Sequence, residues 1–160
     1  MKTLIVCLGS IFYRDDRAGI EVCRRLEKYG YGDSVVICDM GFERCLGEIL
    51  RKDFQKLIIV DAVIPEGESI KPGDVIYIED FENIRDCLSR GLTVSTHKLP
   101  VSLVLDFIKN VKGNFKPIFI GICIKDLSIC DEEFEECELS SEVEKGVNKV
   151  VNFLLEILEE

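Results

Sequence analysis

Thr3–Val22 reads TLIVCLGSIFYRDDRAGIEV, and its two halves follow different rules. Residues 4–8 are an unbroken apolar run, the pattern of a strand buried on both faces, and the strand is expected over 3–8. Gly9 ends it, a short loop follows, and Asp15 and Asp16 stand where a helix should open. From about 16 to 29, Ile20, Cys23 and Leu26 form an apolar stripe with a polar flank, and Gly30 and Gly32 stop the helix. A strand that leads through a loop into a helix delivers its acids to the carboxyl end of the strand. Open α/β sheets keep their chemistry at that edge.

The rest of the chain extends the same rhythm. SVVIC (34–38) reads as a second strand, and Phe42, Cys45, Leu46, Ile49 and Leu50 fall on one helical face. KLIIVD (56–61) is a third strand that ends on Asp61. Strand, helix, strand, helix, strand implies two right-handed crossovers and a parallel sheet ordered 2-1-3. The stretch 62–73, with two prolines and two glycines, lacks a helical period, so the fourth strand (74–79) should return antiparallel, near or at an edge. A short helix around 81–88 follows, then a loop over 91–99. Pro100 opens a helix running to about 111. KPIFIGICI (116–124) is a fifth, fully buried strand. Ser141 and Glu144 form a capping box for a last helix whose valines and leucines face the core. The expected architecture is a single α/β domain over 1–160, a three-layer α/β/α sandwich with a mixed five-stranded sheet.

Composition narrows the function. A formal charge of −10 over 160 residues argues against a nucleic-acid partner, which needs clustered Lys and Arg. The longest apolar runs fall well short of the roughly 20 residues that cross a bilayer, so no membrane partner is expected. The opening MKTLIVCLG has no small-residue cleavage pattern and reads as a strand, with a cytoplasmic location expected. The acidic run CDEEFEECE (130–138) reads as a solvated loop, or else a dock for a basic segment. Eight cysteines show no CxxC pair. Cys7, Cys23, Cys38 and Cys45 are expected as small hydrophobes, and reduced thiols are the default without a secretory signal.

Three residues stand out for chemistry: Asp16, Asp61 and the only histidine, His97. Each has a plain alternative. Asp15 or Asp16 would cap a helix, Asp61 would accept backbone hydrogen bonds, and His97 would be a loop histidine. Their common place at one sheet edge, with Asp39 after strand two, favours a site. Gathered carboxylates repel one another unless a cation or a proton relieves them.

These motifs resemble the nickel–iron hydrogenase maturation endopeptidases, whose pattern is roughly G-x-G-N, a short gap, then D-[DE]-x-x-G. Here CLGS is followed by IFYR and DDRAG, with LIIVDAV at strand three, TVSTHKLP in the loop and LSSEV (139–143) opening the last helix. The similarity spans essentially the whole chain. It implies that Asp16, Asp61 and His97 bind the metal and act in catalysis, and that Asp39 and Gly41 meet substrate. It also implies a hydrogenase large-subunit precursor as partner, with nickel supplied by that substrate. Zinc or a similar divalent ion would substitute. The implied reaction removes a C-terminal extension from the nickel-loaded large subunit. Cys7 and Ser10 depart from the glycine and asparagine of the pattern, and DMGF (39–42) replaces D-G-G-T. Two rivals remain: a receiver-like phospho-acceptor domain using Asp61 with Asp15, Asp16 and Lys125, and a chaperone that holds the large subunit without cutting it.

Overall fold

A computed structural model describes residues 1–39, 41–64, 69–89, 99–125, 128, 130 and 138–160. Five strands form one sheet: β1 (Thr3–Leu8), β2 (Val35–Cys38), β3 (Lys56–Val63), β4 (Val75–Glu79) and β5 (Lys116–Cys123). Their order is β2-β1-β3-β5-β4. The first four of that series are parallel, and β4 pairs antiparallel with β5 at the edge. This is the mixed sheet with the 2-1-3 opening expected from the hydrophobic pattern.

Alternation along the strands divides the core into two layers. Leu4, Val6 and Leu8 of β1 face one layer with Ile49 of α2 (Leu46–Arg51), Ile84 of α3 (Phe81–Leu88) and Val104 and Ile108 of α4 (Val101–Lys112). Ile5 and Cys7 face the other, against Val22 and Leu26 of α1 (Ala18–Lys28) and Val147 and Leu154 of α5 (Ser141–Glu159). Strands β1, β3 and β5 are covered on both faces, which explains their continuous apolar runs. No described helix is long and apolar enough to cross a membrane.

Several local expectations need correction. Asp61 does not end its strand, because β5 carries the pairing onward through Ala62–Ile122 and Val63–Cys123. Asp15–Arg17 form a 3-10 turn, and α1 begins only at Ala18. The capping box at Ser141 does not form: Ser140 is the N-cap, its hydroxyl is taken by Asp15, and Glu144 is drawn to Arg25 at 2.6 Å. Nor are the core cysteines simple thiols, since Cys7 pairs with Cys23 and Cys38 with Cys45 in disulfides. Cys123 is a buried free thiol. The acidic stretch 131–137 lies outside the described residues.

Candidate functional site

Two glycines seat the acidic loop on the carboxyl edge of the sheet. A Cβ at Gly9 would run into the carbonyl of Asp16, and the Ser10 amide donates to that same carbonyl at 3.3 Å. A Cβ at Gly19 would strike the carbonyl of Leu8 and come within 2.9 Å of the carbonyl of Val60. Only glycine lets α1 approach the seam between β1 and β3 this closely. The seam is the switch point of the sheet, because the crossovers leave β1 toward opposite sides.

The two acids of the pair have separate tasks. Asp15 is fully buried and accepts from the amides of Lys125 (3.1 Å) and Ser140 (2.9 Å). It therefore ties the β1–α1 loop to the end of β5 and the start of α5. Asp16 is equally buried, yet it lies on the turn that packs against β3. No side chain caps the 3-10 turn or α1, so the capping alternative for either acid is not what the chain uses. Asp61, also fully buried, is the register partner of Gly121, and its Oδ1 accepts from the Ala62 amide at 2.8 Å. Asp16 and Asp61 thus come to one edge of the sheet from β1 and β3.

Asp39 follows β2 on the same edge and is exposed, while Gly41 beside it is buried with φ +110°. His97 lies outside the described residues, four positions before α4 in the sequence. Among the described residues, no group of three or more His, Cys, Asp or Glu side chains gathers to hold a metal. Buried carboxylates at one edge supply hard oxygen donors, the ligand type that divalent cations such as magnesium, manganese or zinc accept. Lys125 does not serve such a site: its ammonium pairs with Glu142 at 3.2 Å. The receiver-like reading needs that lysine near Asp61, so it gives way.

Three features were not foreseen from the sequence. The partners of Asp15 lie 110 and 125 residues away, and no local pattern announces them. The Cys38–Cys45 disulfide closes the loop that carries Asp39 and Gly41; the spacing of seven was visible, but without a redox cue. Glu43, in the 3-10 turn Phe42–Cys45, has both carboxylate oxygens buried.

Comparison with known proteins gives one consistent answer. The hydrogenase maturation protease family model matches residues 20–157. A Methanocaldococcus jannaschii protein described as a hydrogenase maturation protease is 30% identical over 156 residues, covering 95% of this chain and 93% of its own. Among solved structures, the NiFe hydrogenase maturation protease HybD from Thermococcus kodakarensis superposes with a TM-score of 0.80 at 26% identity, over 98% of this chain and 99% of that one. HycI of the same organism gives 0.74 at 25%, over 99% and 93%. The sheet order, the reversed edge strand and these matches agree, and the chain belongs to the hydrogenase maturation protease family.

Proposed function

We propose that this protein is an endopeptidase that removes a C-terminal extension from the nickel-loaded large-subunit precursor of a nickel–iron hydrogenase. The observation that carries this reading is the delivery of Asp16 and Asp61, both fully buried, to one edge of the sheet. A fold built for stability alone would avoid placing two acids there.

In this reading Asp16, Asp61 and His97 engage the nickel that arrives with the substrate, and zinc or a similar ion substitutes. With one nitrogen and two carboxylates, the trio holds free metal weakly, so a loaded precursor is favoured over an empty one. The ion, when present, adds Lewis acidity at the cleavage point. Asp16 and Asp61 are then occupied, and exposed Asp39 is the carboxylate left to take a proton from the attacking water. The water oxygen joins the scissile carbonyl carbon, the C–N bond breaks, and the departing amine gains a proton. Gly41, with no Cβ and φ +110°, lets the substrate backbone pass close to the end of β2. The protein works as one domain in the cytoplasm, with no nucleic acid or membrane as partner.

Mass spectrometry of the precursor after incubation, with and without nickel loading, tests the proposal. The expected result is loss of a short C-terminal peptide from the loaded form only, and no loss with Asp16→Asn or Asp61→Asn. Full processing by both variants overturns it, and a stable complex of unchanged mass would identify a chaperone instead.

A further inference from the structure

Glu43 sits just beyond β2, on the carboxyl edge that carries Asp39, Asp16 and Asp61. Both of its carboxylate oxygens are shut away from water, and neither finds a hydrogen-bond donor among the described residues. The group rests on the bare Cα of Gly41, where a Cβ would come within 2.6 Å of Oε1. Burying a carboxylate without donors costs several kcal/mol, and natural folds retain such a group only where something rewards it. Apolar Met is close to Glu in length and would fill the space without that cost.

We infer that Glu43 is a specificity residue that binds a basic side chain of the substrate tail, an arginine by geometry. Two unpartnered oxygens on one carboxylate match the paired N–H groups of a guanidinium, which donates to both together once the substrate tail displaces what covers them. A cation suits the place better than a neutral donor, because Asp39 and the chain's net charge of −10 leave this edge anionic. The geometry also indicates which residue is read. Strands β2 and β3 flank β1 and so run about 10 Å apart at ~4.8 Å per strand, with Glu43 in the turn beyond the end of β2 and Asp61 on β3. An extended peptide advances about 3.3 Å per residue, so the basic residue is expected a few positions from the cleaved bond. Gly41 permits the contact by leaving room at the carboxylate; a side chain there would press on Glu43 before substrate arrived.

This inference rests on the proposed peptidase reading, and its test separates the two. Titration calorimetry measures binding of the nickel-loaded precursor to wild type and Glu43→Met, while mass spectrometry follows cleavage separately. Binding should weaken about tenfold in Glu43→Met, and the kinetic loss should fall on KM rather than kcat. Replacing the recognised arginine of the precursor by Met should weaken binding to wild type by the same factor and add nothing in Glu43→Met. The free variant should melt higher than wild type by about 2–4 °C, since an unrewarded buried charge is gone. A lower Tm would make Glu43 a structural acid and overturn the inference, as would unchanged affinity or additive losses. Tight binding by wild type without cleavage would sink the peptidase reading and leave the Glu43 contact standing. Failure of wild type to bind the precursor would end both.

Discussion

Asp15 and Ser140 stand 125 residues apart, yet the Ser140 amide donates to Asp15 Oδ1 at 2.9 Å and its hydroxyl lies 2.7 Å from Oδ2. Ser140 is the N-cap of α5, so a carboxylate from the first loop takes the amide that opens the last helix. With the Lys125 amide added, one buried acid closes a circuit among the ends of β1, β5 and α5. Asp16, next in sequence, lies on the turn that this circuit ties down and that packs against β3.

That circuit predicts a division between adjacent acids. Asp15→Ala should lower stability by about 2–4 kcal/mol, because it takes a buried acceptor from two part-buried amides and a hydroxyl. Ser140→Ala should cost about 1–2 kcal/mol, since the amide bond remains. Denaturant unfolding monitored by circular dichroism measures both. A fully stable Asp15→Ala protein would return Asp15 to the list of candidate site residues.

Glycine placement supports a second prediction. At Gly19 the obstacles to a Cβ are backbone carbonyls of Leu8 and Val60, which cannot swing aside. Gly19→Ala should therefore destabilise by about 3 kcal/mol or more and pull the acidic loop off the sheet. Gly47, inside α2, has only the far end of Arg51 nearby, at 3.8 Å. Gly47→Ala should raise stability by about 0.5–1 kcal/mol through helix propensity alone. Thermal melts of the two variants should move in opposite directions.

Much of this was legible in the sequence because the sheet is written in apolar runs. Residues 4–8, 57–60 and 118–120 are covered on both faces, and only a central parallel strand requires that. The reversal of β4 followed from the helix-free stretch before it. Asp16 and Asp61 were recognisable by their position after such runs. What stayed hidden depends on contacts between remote segments. Asp15 meets Ser140 only once α5 has docked, and the same contact cancels the expected capping box. The strand end at Asp61 was misplaced because Ala62 and Val63 gain their ladder from β5, sixty residues later. Nothing in the sequence marks Glu43, whose carboxylate oxygens are buried by the turn that also seats Phe42 in the core.

Two titrations should depart from ordinary values. Burial, with a contribution from the charge of Asp74, lifts the Cys123 thiol to about 11. The native protein should therefore resist iodoacetamide at Cys123 at pH 8, and label there only after unfolding. Burial and then the 2.7 Å bond to Glu79 lift Tyr77 to about 12. The folded state thus favours the neutral phenol: its contribution to stability is full below about pH 10 and is lost as pH rises toward 12. A tyrosinate absorbance titration should show one of the four tyrosines ionising late, and Tyr77→Phe should remove that step.

The acid pair itself predicts a conflict between stability and activity. Asp16 and Asp61 are both fully buried at one edge, so keeping both of them charged costs folding free energy. Asparagine keeps the shape of either side chain and removes one charge. In nickel-free buffer, Asp16→Asn and Asp61→Asn should each match or exceed the wild-type Tm, by about 2–4 °C at most, while precursor processing falls to background. Added nickel should raise the melting temperature of the wild type and leave both variants where they were, because ligand stabilises only the state that binds it. A variant that melts well below wild type would instead assign its acid to holding the fold, as Asp15 does, and the site would have to be rebuilt around other residues.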